Sequence, residues 1–134
     1  MKIFKIGELS KKTGLTVEAI RYYEKLNLIE EPSRNSSGYR IYNDNTLNTL
    51  EFIQRGKKLG FTLNELKDLL NLKAPKRKAA CRDVKEIADL KIEEINTKID
   101  CLKKLNKALK KISKACCGGD DSAINCSIIK ILSN

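Results

Sequence analysis

The sequence contains no histidine, and only two of its 134 residues are prolines. Histidine is the most common general base in enzymes, and without it no Ser–His or Cys–His pair can form. A phosphate-binding loop of the G-x-x-x-x-G-K type is also missing. These absences make an enzyme the least favoured class of protein.

Long hydrophobic runs are absent as well. No apolar stretch approaches the roughly 20 residues that a membrane-spanning helix needs. The first letters, MKIFKIGELSKKTG, lack the apolar segment and the cleavage site of a secretory signal. We therefore expect a cytoplasmic protein without a membrane partner. In that compartment the five cysteines indicate reduced thiols, and clustered thiols indicate metal binding or redox sensing.

Positive charge, by contrast, is abundant: 27 Lys/Arg against 17 Asp/Glu give a formal charge of +10. Such an excess indicates an acidic partner, most commonly nucleic acid. Most of the excess lies in residues 73–115, with 14 basic and 6 acidic residues, whereas residues 1–72 hold 12 and 9. Charge alone therefore does not locate a DNA-binding surface.

Residues 4–26 have the pattern of two short helices around a turn. Gly14 is placed to end the first helix, and Thr16 is placed to cap the second. One buried side at helical spacing consists of Ile6, Leu9, Leu15, Val17, Ile20, Tyr23 and Leu26. This pattern is typical of a helix-turn-helix, and a purely structural helical hairpin shares it.

A wing and a second helical pair are predicted next. Residues 30–42 combine a proline, an Asn-Ser-Ser-Gly turn and the strand-like letters YRIY, which predict a short hairpin. Residues 46–72 predict two helices, the second opened by a capping box of Thr62 and Glu65. Residues 1–72 are therefore expected to form a winged helix-turn-helix domain.

After a linker at 73–80, residues 81–115 contain neither proline nor glycine and predict one long helix. Its apolar residues recur at spacings of three and four, the seam pattern of a coiled coil. The seam consists of Ala88, Ile92, Ile95, Ile99, Leu102, Leu105, Leu109 and Ile112. A helix roughly 50 Å long with one apolar stripe needs a partner. We expect a homodimer, and a helix folded back onto its own head is the alternative.

Residues 116–134 combine a cysteine-containing loop with a short apolar helix at 127–132. Cys117 and Cys126 are separated by eight residues, and two of these are glycines that allow the loop to bring both sulfurs together. Thiolates bind an ion such as zinc at about 2.3 Å and need this convergence. Adjacent cysteines project in different directions, so Cys116 and Cys117 are expected to serve different ions, or one of them packs.

In this order the motifs resemble the MerR family of bacterial metal-responsive transcription regulators. The resemblance rests on the segments IGELSKKTGLTVEAIRYYEKLNLI, RNSSGYRIY, LGFTLNEL and CCGGDDSAINCSII, and it covers essentially the whole chain. It implies a mainly α fold: a winged helix-turn-helix head, a long antiparallel coiled-coil helix and a C-terminal metal-binding loop. It also implies a homodimer that bends and untwists promoter DNA, so that the two promoter elements align for RNA polymerase.

The resemblance places the second helix of the helix-turn-helix in the major groove and the wing on the DNA backbone. Arg21 is then expected to contact a base or a phosphate, and Arg40 a phosphate. The expected DNA-binding residues are Thr16, Arg21, Tyr22, Lys25, Tyr39 and Arg40. For the tyrosines, a partly buried structural role agrees equally well with the sequence.

The resemblance also implies a ligand set, because in an antiparallel dimer the start of one long helix comes beside the terminal loop of the other. The expected metal ligands are Cys81, Cys116, Cys117, Cys126 and Asp121. Asp121 is included because zinc-responsive relatives have a histidine there and aspartate also binds zinc. Cys101 lies beside the seam, away from the loop, and is expected to pack as a small apolar residue.

The resemblance is strongest to the zinc-, cadmium- and lead-responsive branch, which implies Zn²⁺, Cd²⁺ or Pb²⁺ as the bound ion. Mercury sensors share the Cys81-like thiol and the loop length but usually have one cysteine where this chain has two, so Hg²⁺ stays an alternative. Copper(I)-responsive relatives have a shorter loop and serine in place of Cys81. A copper(I)-responsive regulator, a redox-sensing regulator and a metal-buffering protein stay open as well.

Overall fold

The computed structural model describes residues 2–133, which form two compact units, one ending at Ile87 and the other beginning at Ala88. The first unit contains β1 (Ile3–Phe4), α1 (Ile6–Thr13), α2 (Val17–Lys25), β2 (Ser33–Arg34), β3 (Arg40–Asn43), α3 (Asp44–Lys58), α4 (Leu63–Lys73) and a 3₁₀ turn (Pro75–Arg77). Helix α5 (Cys81–Lys114) begins there and continues into the second unit, where a 3₁₀ turn (Ala123–Asn125) and α6 (Ser127–Ser133) follow. Over the described range, no helix has the length and apolarity needed to span a bilayer.

The helix-turn-helix is formed by α1 and α2, and its caps are the predicted ones. Gly14 ends α1 in the left-handed region, with φ of 76°, and its amide donates to the Ser10 carbonyl. The Thr16 hydroxyl oxygen accepts a hydrogen bond of 3.1 Å from the Ala19 amide and so caps α2. These bonds fix the angle of the turn through residues that are close together in the sequence.

The wing is present, but the sheet has one strand more than the sequence predicted. The order is β1-β3-β2 with both pairs antiparallel, Phe4 opposite Tyr42 and Arg34 opposite Arg40. Phe4 was expected in the helical segment 4–26. It lies instead in β1, because its buried ring and its pairing with Tyr42 outweigh the local pattern.

The later boundaries differ from the predicted ones by one or two residues. Helix α3 begins at Asp44 rather than 46, because the Asn43 side-chain oxygen accepts from the Thr46 amide at 3.0 Å. The capping box of α4 is formed as predicted, between Thr62 and Glu65. Lys73 is the last residue of α4 and was expected in the linker.

The core of the first unit draws on both helical pairs and the sheet. Its fully buried side chains are Leu9, Ile20, Leu50, Ile53 and Leu66. Six of the seven apolar residues predicted for the helix-turn-helix belong to this core or pack against it; only Val17, which is half-buried, does not. This shared core holds α2 and the wing on one scaffold, which matters for the site below.

The apolar residues of α5 have no such cover in the second unit. Ile92, Ile95, Ile99, Leu102, Leu105 and Leu109 are between 39% and 64% exposed. The predicted seam therefore exists as one continuous stripe on the surface of this chain.

The packing of α3 against α4 gives a test of the core. A Cβ added at Gly56 would overlap the Leu66 side chain, whereas one added at Gly7 in α1 would meet nothing within 4 Å. We expect Gly56→Ala to lower the free energy of unfolding by about 1–3 kcal/mol through overpacking. Gly7→Ala should leave it unchanged or raise it slightly. Urea unfolding at one fixed protein concentration measures both, and equal stability of the two variants would contradict this packing.

Candidate nucleic-acid interface and metal centre

A basic groove of about 760 Å³ lies between α1, α2 and the wing. Its charged and aromatic lining residues are Lys5, Glu8, Lys11, Arg21, Arg34, Tyr39 and Arg40. Five of these seven side chains are cationic and one is acidic, so the groove presents donors to a polyanion. In DNA-binding domains, arginine and lysine side chains commonly donate hydrogen bonds to phosphate oxygens.

A partly buried hydrogen bond connects the wing to α2. The Tyr42 hydroxyl of β3 donates to the Glu24 carboxylate of α2 at 3.4 Å. Burial of the phenol, followed by the nearby Glu24 charge, raises the pKa of Tyr42. Tyr42 is therefore a neutral structural residue, and it holds Arg40, two positions away on the same strand, beside the helix-turn-helix.

The turn of the wing is held by Asn35. Its side-chain oxygen accepts from the Ser37 and Tyr39 amides, each at 3.0 Å. The Arg34 guanidinium also donates to the Gly38 carbonyl at 2.7 Å, across a turn in which Gly38 has φ of 84°. These bonds hold Tyr39 exposed at the groove, where the Lys5 ammonium lies 5.7 Å from the centre of its ring.

The groove brings together three of the six residues that the sequence predicted to bind DNA. Arg21, Tyr39 and Arg40 line it together. Tyr22 and Lys25 are exposed on α2 but do not line the groove, and the Thr16 hydroxyl serves as the cap of α2. Their part in DNA binding stays a prediction.

Three cationic residues of the groove were missing from the predicted set, namely Lys5, Lys11 and Arg34. The position of Arg34 in the predicted wing could have indicated that it faces DNA. The sequence holds no such indication for Lys5 and Lys11, because only the packing of α1 against the sheet turns them toward the same space as Arg40.

In the second unit, two of the predicted ligands meet. The Cys126 and Cys116 sulfurs are 3.4 Å apart. The loop length had pointed to Cys117 as the partner of Cys126. The two neighbours differ as expected for adjacent residues, since Cys116 is half-buried beside Cys126 while Cys117 is exposed.

The surroundings of Cys126 favour its thiolate. Hydrogen bonds with the Ile129 amide, then with the Cys116 thiol and then with the Ile128 amide lower the pKa of Cys126. Cys126 immediately precedes α6, so the amides of that helix's first turn point at the sulfur. The thiolate is the form that binds metal ions.

The thiols line a cup of about 710 Å³ between the end of α5 and α6, to which Cys116, Cys117, Cys126 and Asp121 all contribute. Within residues 2–133 of one chain, however, no three acidic, cysteine or histidine side chains are grouped closely enough to hold a metal ion. The cup therefore offers a pair of soft ligands that fits a thiophilic ion, and a complete site needs at least one more ligand.

The two remaining cysteines are exposed. Cys81 is the first residue of α5, in the first unit. Cys101 was expected to be a packed residue, but in this chain its thiol is exposed on α5, and the residues around it on the helix are exposed as well.

Comparison with known proteins identifies the family. A model described as MerR HTH family regulatory protein matches residues 4–73, and one described as MerR, DNA binding matches residues 47–112. The chain belongs to the MerR family. This confirms the resemblance and the predicted fold, and it makes the protein a transcription regulator rather than an enzyme.

Several relatives match nearly end to end. The mercuric resistance operon regulatory protein of Bacillus cereus is 44% identical over 129 residues, 96% of each chain. The regulator ZntR of Escherichia coli K12 is 33% identical over 130 residues, 97% of this chain and 92% of its own. The lead(II) complex of PbrR691 from Ralstonia metallidurans CH34 superimposes with a TM-score of 0.84 at 32% identity, covering 96% of this chain and 98% of its own.

The groove can be tested by the salt dependence of DNA binding. Arg40→Ala should weaken binding to the protein's promoter fragment and lower the slope of log K against log salt by about one, because one phosphate contact is lost. Arg55→Ala is the matched control, since Arg55 lies on α3, outside the groove, beside Glu51 at 3.7 Å. Equal slopes for both variants would contradict the groove as the interface.

The lowered pKa of Cys126 can be measured by alkylation. Because the folded chain holds the thiolate at a pH where the unfolded chain holds the thiol, iodoacetamide should reach half-maximal reactivity with Cys126 at a lower pH in metal-free buffer than in urea. Peptide mass spectrometry reports the modified fraction for each cysteine. A higher pH in the folded chain would show that the amides of α6 do not stabilise the thiolate.

Proposed function

We propose that this MerR-family regulator is a metal-responsive activator that binds promoter DNA as a homodimer and responds to a thiophilic divalent ion. The observation that carries the proposal is the pair of sulfurs, 3.4 Å apart, in a chain whose head has a basic groove between a helix-turn-helix and a wing. A metal-buffering protein would need the thiols but has no use for the groove.

The DNA-binding part of the proposal rests on Arg21, Arg40 and Tyr39 in the groove. Helix α2 enters the major groove of the promoter, and the wing contacts the adjacent backbone. Lys5, Lys11 and Arg34 add phosphate contacts. Each head reads one half-site, so a twofold-symmetric dimer requires a promoter with two related half-sites.

The dimeric part rests on the exposed seam of α5. Exposing a continuous apolar stripe, with residues up to 64% exposed, to water is unfavourable in free energy. Pairing with a second copy removes both stripes from solvent at once. We propose that the two α5 helices run antiparallel, which brings each terminal cup to the start of the other long helix.

The metal part follows from this pairing. The cup supplies Cys116, Cys117, Cys126 and Asp121, and we propose that Cys81 of the partner subunit completes the set. Such a site ties both subunits together, so binding the ion changes the arrangement of the dimer rather than a single loop. A ligand set of thiolates without imidazole favours soft ions.

The output of the switch is a change in the DNA. We propose that the metal-bound dimer bends and untwists the promoter until its two elements align for RNA polymerase, so that binding energy is converted into DNA deformation. Helix α6, packed beside the thiols, is the element placed to transmit the change. The promoter would control metal-resistance or efflux genes.

The ion itself is proposed as a class. Zn²⁺, Cd²⁺ and Pb²⁺ suit a set that includes Asp121, and the similarity to PbrR691 in its lead(II) complex favours this class. Hg²⁺ is the second candidate, because the Bacillus cereus mercuric resistance regulator shares 44% of its residues with this chain.

Transcription from the protein's own promoter in vitro, under reducing conditions, tests the proposal. Zn²⁺, Cd²⁺, Pb²⁺, Hg²⁺ and Cu⁺ are each titrated, and a divalent ion should activate. Cys126→Ser should abolish activation, while Cys101→Ser, which removes an exposed thiol outside the cup, should retain it. No response to any divalent ion would refute the metal sensor, and a response to Cu⁺ alone would refute the divalent class.

The role of Asp121 is tested by a pair of adjacent variants. If its carboxylate binds the ion, Asp121→Asn should weaken metal affinity by roughly tenfold or more, measured by competition with a chelator. Asp120→Asn is the matched control, because Asp120 is exposed and does not line the cup. Equal affinities for the two variants would show that Asp121 is only a solvated residue.

A further inference from the structure

One flank of helix α5 changes the sign of its charge near the middle of the helix. Its positions follow each other at spacings of three and four residues, which keeps them on one side of the helix. Every second position borders the seam, and the positions between them lie further out. The flank consists of Asp89, Glu93, Asn96, Asp100, Lys103, Lys107, Lys110 and Lys114. From Asp89 to Asp100 every charge on this flank is negative, and from Lys103 to Lys114 every charge is positive.

This flank is exposed along its whole length, and its basic half lines a surface groove of about 450 Å³ with Asn106 and Lys111. Residues 101–119 contain six lysines and no acidic residue. Like charges three or four positions apart weaken a helix by a few tenths of a kcal/mol per pair. A partner that carries negative charge would therefore stabilise the basic half of the helix.

The opposite flank of the seam has no such division. There the Glu94 carboxylate accepts from the Lys91 ammonium at 2.6 Å and from the Lys98 ammonium at 3.2 Å. Opposite charges are thus paired between neighbouring turns of the same helix. Beyond Lys98 that flank carries no charge, and it merges there with the seam at Leu105 and Ile112. The charge division is thus a property of one side of α5 and not of the whole helix.

An antiparallel second copy fits the divided flank. Pairing Ile99 with Leu102 of the partner subunit also pairs Ile92 with Leu109 of the partner subunit and Ile95 with Asn106 of the partner subunit. Large apolar residues then meet at four of these six layers. In an antiparallel pair, the same flank of each helix faces itself in reverse. Acidic positions of one copy then face basic positions of the other, at both ends of the seam.

We infer that this divided flank makes the helix self-complementary, so that its partner is a second copy of this chain in the antiparallel register that pairs Ile99 with Leu102. The inference rests on the proposed homodimer and adds what selects its register and partner. Beside the seam, Lys110 of the partner subunit lies between Asp89 and Glu93, and Lys103 of the partner subunit lies next to Asp100. Each contact occurs twice by symmetry.

Two different arrangements match the charges less well. In a parallel pair, this flank faces the opposite flank of the partner, where Lys98 would meet Lys103 of the partner subunit and Leu105 would meet Lys110 of the partner subunit. DNA would attract the four lysines but repel Asp89, Glu93 and Asp100 on the same stripe. A regulator that lacks the charge division would meet like charges at one end of the seam, which disfavours mixed dimers.

The first experiment compares two double variants with the same residue types and the same change in net charge. Lys103→Glu with Lys110→Glu places acid against acid across the pair. Lys104→Glu with Lys111→Glu lies one residue further along, rotated by about 100° away from the seam. Sedimentation equilibrium should show at least about a tenfold rise in dimer Kd for the first variant at low salt and little change for the control, with the difference shrinking at about 0.5 M salt as exposed charges are screened.

The second experiment restores the pairing by charge exchange. A chain with Asp89→Lys, Glu93→Lys and Asp100→Lys is basic along the whole flank, and a chain with Lys103→Glu, Lys107→Glu and Lys110→Glu is acidic in both halves. Each alone should form a weaker homodimer. Mixed together, they should form a heterodimer preferentially, which native mass spectrometry detects by mass and circular dichroism confirms as helical.

The outcomes separate the inference from the proposed function. Equal weakening by both double variants, or no preference for the heterodimer, would overturn the charge-selected register while leaving a dimeric regulator intact. An unchanged dimer Kd together with weaker promoter binding by the Lys103 and Lys110 variant would also overturn it, because the stripe would then serve DNA. A wild-type chain that sediments as a monomer would instead refute the proposed homodimer.

Discussion

The exposed apolar seam of α5 is the constraint on which the rest of this molecule depends. The head has its own buried core, and the terminal cup has its own pair of thiols, but the large apolar residues of the seam are exposed in a single chain. Burying the seam requires a second helix. In the proposed antiparallel dimer, two heads would act on one stretch of DNA, and the ligand set of each cup would lie beside Cys81 of the partner subunit.

The head illustrates how a rigid scaffold serves a switch. The contact of Tyr42 with Glu24 and the shared core of Leu9, Ile20 and Leu50 hold the wing and α2 as one body. A rigid head transmits a rotation instead of absorbing it. In the proposed switch, a change in the dimer would therefore reach the DNA as a change in the distance and angle between two heads, which is what deforming a promoter requires.

Much of the fold follows from short-range chemistry and was predicted from the sequence. The Gly14 stop, the Thr16 and Thr62 caps and the three–four spacing of α5 depend only on residues within a few positions of each other. Strand β1 was missed because two residues carry no periodic signal, and only their pairing with β3, about forty positions away, makes them a strand. The domain limits and the ligand roles of the predicted residues stay predictions.

The sequence by itself determined the family, the order of the elements, the seam and the presence of thiols near the end of the chain, because each of these is written in residue types and spacing. Tertiary structure decided which side chains meet. It brought Lys5, Lys11 and Arg34 beside Arg21 and Arg40. It also placed the Cys126 sulfur next to that of Cys116, where loop length had favoured Cys117. The physical reason is that the direction of a side chain depends on backbone angles and packing partners distant in sequence, and spacing along the chain does not encode them.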